Sequence, residues 1–150
     1  MDINLLLFLI FIGSPISIFI HEFGHALAAI AIRANDITIT IGSGREFYVV
    51  KWKRYIVKCN IFYFIGGVSN YERDEPFTSK EMIWLTLLGP VFNGIAAGVI
   101  YFLLMKFPNV YLEIFFWFNM WLAITNLIPF RINEKQTDGY AIIQLLKNKQ

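Results

Sequence analysis

Both histidines of the chain lie four residues apart in "HEFGH", His21 to His25, with Glu22 directly after the first. On a helix that spacing stacks the two imidazoles on one face, where they can share a metal ion. Zinc accepts imidazole nitrogen, and a catalytic zinc site has three protein ligands with water in the fourth position. Glu22 stands where it can take a proton from that water and give it later to a leaving amine. The same residues also admit a structural reading, in which both histidines are buried polar groups bonded to neighbouring helices and Glu22 is a partner. Against it, the motif is complete and sits in "IFIHEFGHALAAIAIR", residues 18–33, which is otherwise almost wholly apolar. Ionisable residues in such a segment are functional by default.

A third ligand must come from elsewhere, because there is no third histidine. Glu134 and Asp138 are the acids beyond the last long apolar segment, and Asp138 opens "DGYAIIQLL". Asp138 also reads as a helix N-cap, a position that favours Asp. Cys59 is the one cysteine, which rules out an internal disulfide and a cysteine-rich zinc site. In "LLGPVFNGIAAG", Asn93 is a carboxamide that needs partners, either as glue between helices or as an active-site contact. Gly89, Gly94 and Gly98 in the same stretch read as small residues that let helices approach. Asn126 and Pro129 in "NLIP" mark where an apolar segment loosens, which suits backbone lining a polar cavity.

The elements that must position these residues are membrane helices. The chain has 150 residues, about one domain. Its composition is 57% hydrophobic and 17% aromatic, with a mean hydropathy of +0.54, too apolar for an ordinary soluble domain of this size. A net charge of +2 favours no acidic partner such as a nucleic acid. Three segments approach or exceed the ~20 residues that cross a bilayer. They run over residues 3–32, with a kink expected at "GSP", then 82–105 and 111–130. The short link "KFPNV" makes the last two an antiparallel pair. The first segment opens with Asp2 and shows no clear cleavage site, unlike a cleavable signal. Between the first two segments, residues 36–65 read as strands: "DITITIG" alternates, a "GSG" turn follows, and a second turn is expected near Lys53 and Arg54. Gly66 and Gly67 break that pattern. The expected fold is an all-α polytopic membrane protein, one domain with three main transmembrane helices. A small β-hairpin or sheet lies between the first two, and a short helix over 138–148 closes the chain.

Basic residues give the orientation. Arg33, Arg45, Lys51, Lys53, Arg54, Lys58, Arg73 and Lys80 lie between the first two helices, and Arg131, Lys135, Lys147 and Lys149 follow the third. By the positive-inside rule the amino terminus faces out, and the strand region and tail face the cytoplasm. The protein is then a multi-pass protein of the cell membrane with "HEFGH" toward the cytoplasmic end of its helix.

The ordered set "HEFGH", "GPVFN" and "NLIP…DG" resembles the site-2 protease family of intramembrane zinc metalloproteases, in its minimal bacterial form. The strand-rich segment ending "FIGGVSNY" is similar to the family's membrane-associated sheet, and the resemblance covers nearly the whole chain. It implies His21, His25 and Asp138 as ligands of one zinc ion per chain, Glu22 as general base, and Asn93 near the site. Two departures stand out. Eight residues, "FRINEKQT", separate Pro129 from Asp138 where the family usually has four or five, and Thr137 stands where leucine usually precedes the aspartate. The extra residues are polar and are expected to loop out toward the cytoplasm. No inserted PDZ-type or appended regulatory domain fits in this length.

The expected activity is hydrolysis of a peptide bond in a transmembrane or membrane-bound peptide, within the lipid bilayer. Asn93 and Asn126 are candidate active-site support. The competing class is a catalytically silent homologue acting as a membrane scaffold or binding protein. A metal transporter would need further ligands along a pathway.

Overall fold

The computed structural model describes residues 2–133 and 135–147; Met1, Glu134 and residues 148–150, the last residue expected of the tail helix among them, lie outside the described residues. The chain enters as α1 (Ile3–Phe8), passes through a π-helical turn at Leu9–Gly13 and continues as α2 (Ser14–Ala31), 29 residues in all. Where a kink was expected around residues 13–15, the helix instead widens into this π-turn, which ends at Gly13. A proline ring crowds the carbonyl four residues back and supplies no N–H, and widening the ladder just before Pro15 accommodates both.

Helix α3 (Ser79–Lys106) begins with a capping box, Thr78 bonding the Glu81 N–H and Glu81 returning to the Thr78 N–H. Helix α4 (Val110–Leu127) is capped by Asn109. It ends three residues earlier than the apolar run. Ile128, which precedes Pro129, is extended with ψ 124°, because the proline ring clashes with a helical residue before it. All three long helices are long and apolar enough to cross a membrane. Their outer faces carry Phe19, Ile95, Val99, Phe102, Trp117 and Trp121, all exposed. So broad an apolar surface suits lipid rather than water.

The sheet is larger than the small hairpin expected, and the protein is not all-α. Strands β1 (Asp36–Trp52) and β2 (Tyr55–Glu72) have 17 and 18 residues. They pair antiparallel from Asp36↔Glu72 to Ile41↔Gly67, and again from Trp52↔Tyr55 to Glu46↔Asn60. Between these runs β1 doubles back through residues 42–45, where Gly42 and Gly44 have positive φ. Residues 36–41 thereby also lie beside 55–59, Ile37↔Tyr55 through Ile41↔Cys59, running in the same direction. Four rows result, in the order 67–72, 36–41, 55–59, 46–52. Each outer row has one edge with no strand partner among the described residues. The second expected turn is present, with Lys53 at φ 55°. Gly66 and Gly67 do not end the strand, as their sequence suggested. They carry it into an edge row, "GVSNYE", whose polar neighbours need no apolar alternation.

Where alternation was legible it holds. Ile37, Ile39 and Ile41 are buried with Ala26, Ala29 and Leu85, while Thr38 and Thr40 are half-buried. Beyond the edge row, the Arg73 guanidinium donates to the Ile32 carbonyl at 2.8 Å and to both Glu81 carboxylate oxygens at 3.0 and 3.1 Å. That bidentate pair ties the exit of the sheet to the end of α2 and the start of α3.

Candidate metal centre

Helix α2 supplies two imidazoles and α5 (Asp138–Lys147) supplies a carboxylate at its first residue. The two Nε2 atoms are 3.2 Å apart. Asp138 Oδ2 lies 3.1 Å from His21 Nε2, and Oδ1 lies 3.6 Å from His25 Nε2. One ligand atom from each of His21, His25 and Asp138 falls within 4.8 Å of the others. Both histidines are buried.

The protons on the imidazoles decide whether this cluster suits a metal. His25 Nδ1 is 2.8 Å from the Leu85 carbonyl, which can only accept, so Nδ1 carries the proton. His21 Nδ1 is 2.7 Å from Asn93 Oδ1, likewise an acceptor. Each neutral ring therefore turns an unprotonated Nε2 toward the other and toward Asp138. The 3.1 Å approach of His21 Nε2 to Oδ2 is then a meeting of lone pairs, and Oδ2 is buried with no hydrogen-bond partner. A proton on one ring would relieve one of these contacts; a cation between them relieves all three. Two imidazole nitrogens and a carboxylate form a donor set for zinc, and the carbonyl and carboxamide behind the rings orient them as outer partners of metal ligands do.

Helix α3 comes close to this pair because residue 89 has no side chain. A Cβ on Gly89 would collide with the His25 ring and lie 2.9 Å from His21 Nε2. Pro90 in the same turn removes the N–H that would bond the Thr86 carbonyl, loosening the helix there. Gly94 and Gly98 serve no such approach. A Cβ on either meets nothing within 4 Å, so the small-residue packing expected of them is absent; Gly24 against the Leu88 carbonyl is the close α2–α3 contact instead.

Asp138 reaches the histidines despite the longer link. The extra residues form a hairpin, β3 (Arg131–Ile132) with β4 (Lys135–Gln136). Thr137 closes its base: Oγ1 donates to the Ile128 carbonyl at 2.7 Å and accepts from the Phe130 N–H at 3.1 Å. The Thr137 N–H meets the Phe130 carbonyl at 3.1 Å. Doubling a four-residue loop costs only about 0.6 kcal/mol in closure entropy, less than these bonds return. Oγ1 also accepts from the Tyr140 N–H at 3.3 Å. The N-cap is thus Thr137 and not Asp138, which leaves the carboxylate free. Gly139 lies against the Leu127 carbonyl, where a Cβ would collide, so its role is close approach. Glu134, the other candidate ligand, lies outside the described residues.

Glu22 faces the edge row of the sheet. The Ser69 hydroxyl is 2.7 Å from Glu22 Oε2 and 3.2 Å from the Glu22 carbonyl. A Cβ on Gly67 would lie 2.8 Å from Glu22 Cγ. A cavity of about 220 Å³ is lined by His21, Glu22, Gly66, Gly67, Leu122 and Asn126. Asn126 is therefore brought to the site, with its amide nitrogen donating to the Leu122 carbonyl at 3.0 Å. Nearby, burial pushes the Tyr71 hydroxyl far above its ordinary range, with the charges of Glu22 and Asp138 adding to the shift.

The family model for peptidase family M50 matches residues 7–110, a span that contains "HEFGH" and "GPVFN". The chain belongs to peptidase family M50. A comparison with curated proteins gives no match.

In this M50 chain four neighbours of the site escaped the sequence reading. Ser69 is an ordinary polar residue in a polar stretch, with nothing to separate it from solvated ones, and Thr137 was read only as a departure from the family pattern and not as a cap. Ser17 and Asn119 did carry a signal, as polar residues in the middle of apolar segments. Both are fully buried, and Asn119 Nδ2 is 2.9 Å from Ser17 Oγ.

Proposed function

We propose that the chain is an intramembrane zinc endopeptidase that hydrolyses a peptide bond of a transmembrane or membrane-bound peptide. The observation that carries this reading is the meeting of three unprotonated ligand atoms, one of them a buried orphan, beside a carboxylate in a cavity. His21, His25 and Asp138 would hold the ion. Zinc bound there supplies a Lewis acid for the scissile carbonyl and lowers the pKa of a coordinated water. Glu22 takes a proton from the attacking water and delivers it to the amine nitrogen as the C–N bond breaks. Ser69 holds Oε2, leaving the other carboxylate oxygen toward the cavity. The test is cleavage of single-span peptides by the full chain in liposomes, read by mass spectrometry. Cleavage that is lost on chelation and restored by zinc supports the proposal. A chain that binds zinc yet cuts no peptide in a broad panel would instead favour a scaffold.

Ser69→Ala should keep zinc and slow turnover by about ten- to a hundredfold, since one hydrogen bond to a charged group contributes roughly 1.5–3 kcal/mol. Unchanged turnover in a zinc-loaded Ser69→Ala protein would remove Ser69 from the mechanism.

The row 67–72 offers its open edge beside Glu22, and an unwound substrate can add there as a further strand, held by main-chain bonds. Proline removes such a bond. The Ile37 N–H turns to the Arg54 carbonyl, so by alternation Val68 and Asn70 face Thr40 and Thr38 inside the sheet and Tyr71 turns its N–H to the open edge. Tyr71→Pro should cut cleavage severalfold with zinc retained, whereas Val49→Pro on the far row should not. Equal loss from both rows would show disruption of the sheet rather than of a docking edge.

By the positive-inside rule the distribution of basic residues supports a cytoplasmic strand region and tail. Cys59 is half-buried in the ladder, so an exposed position reports orientation better. In a Cys59→Ala background, Lys51→Cys should resist a membrane-impermeant thiol reagent in intact cells and react after permeabilisation. Labelling of intact cells would invert the topology.

A further inference from the structure

A one-way chain of hydrogen bonds runs behind His21, and every side chain in it is buried. Ser17 Oγ donates to the Gly13 carbonyl at 2.8 Å. Asn119 Nδ2 donates to Ser17 Oγ at 2.9 Å and to the Phe115 carbonyl at 2.9 Å. That fixes which end of the Asn119 amide is which, because a carbonyl cannot donate. Asn119 Oδ1 is left to accept from Asn93 Nδ2 at 2.9 Å, while Asn93 Nδ2 also donates to the Ser17 carbonyl at 3.0 Å. Asn93 Oδ1 then has one direction left, toward His21 Nδ1 at 2.7 Å. Ser17, Asn93 and Asn119 are each 0% exposed, so no solvent can substitute for a missing partner.

We infer that Asn119, with Ser17 behind it, is a positioning residue that fixes the proton of His21 on Nδ1 and so keeps the Nε2 lone pair turned toward Asp138. The inference rests on the zinc reading for its purpose but not for its geometry. If Asn93 rotated its amide by half a turn, Oδ1 would face the Ser17 carbonyl and Asn119 Oδ1, two acceptors against an acceptor. Its NH2 would face His21 Nδ1, drawing the ring proton to Nε2 and abolishing the ligand lone pair. Asn119 is the group that doubles the penalty for that rotation. His25 has no such relay; its Nδ1 bonds directly to the Leu85 carbonyl, which cannot reverse. The two ligands therefore differ in how their protons are held, and only His21 depends on distant side chains from α2, α3 and α4.

The chain contains two histidines, so a histidine-labelled NMR spectrum reports this directly. The full-length, metal-free protein with 15N-histidine in micelles, at a pH where both rings are neutral, should show both as the Nδ1–H form. Asn119→Leu should shift His21 toward Nε2–H with His25 unchanged, and weaken zinc binding about 10- to 100-fold, the usual effect of losing an outer partner of a ligand. An unchanged His21 in folded Asn119→Leu overturns the inference. So does Nε2–H at His21 in the wild-type protein, a result that needs no variant to fold. If the wild-type chain shows the Nδ1–H forms but binds no zinc, the positioning stands and the zinc reading falls.

Discussion

Glu22→Gln should leave one zinc per chain and lower peptide-bond cleavage by about a thousandfold or more. The carboxylate is not among the three converging ligand atoms; it faces Ser69 at 2.7 Å and lines the cavity shared with His21. Glutamine has nearly the same shape and still accepts from Ser69, so packing and metal affinity change little. What it cannot do is take a proton from water and pass it to the departing amine. General acid–base catalysis contributes about 10²- to 10⁴-fold, and the proposal gives both transfers to one residue. Zinc analysis and turnover on the same preparation check this. A Glu22→Gln protein that cleaves at the wild-type rate would end the assignment.

Asp138→Asn should lose zinc and cleavage together, while Glu134→Gln should lose neither. The asparagine side chain would present a neutral carbonyl or an NH2 where Oδ2 now sits buried without a partner. An NH2 facing either Nε2 would occupy the lone pair that a metal requires. Losing one of three protein ligands, and its charge, is expected to cost a hundredfold or more in affinity, at least as much as losing an outer partner. The hairpin of β3 and β4 is pinned at its base by Thr137, which sends Asp138 back to the histidines whatever lies at the tip. If Asp138→Asn keeps full zinc and activity and Glu134→Gln loses both, the third ligand is Glu134.

The sequence carried much of this site because its chemistry is conspicuous in lipid. Two histidines and a glutamate in an apolar helix need a reason, and so does Asn93. The spacing of four in "HEFGH" guarantees a shared face once the segment is helical. What escaped has physical causes. Asn119 sits in as apolar a setting as Asn93, but no neighbouring motif drew attention to it. The edge row 67–72 was lost because two glycines looked like an end, and because a row beside a polar site carries no apolar alternation. Asp138 could be read as ligand or cap until the Thr137 hydroxyl was seen on the Tyr140 N–H. Gly94 and Gly98 showed the reverse error, a packing pattern with no helix against it.

X-ray absorption at the zinc edge of the purified full-length chain tests the metal centre most directly. The proposal predicts one zinc per chain with only nitrogen and oxygen neighbours, at about 2.0–2.2 Å, including two imidazoles, and loss of that signal in His21→Ala. A sulfur neighbour at about 2.3 Å, which would have to come from Cys59 or a foreign thiol, or a chain that retains no zinc, would contradict it.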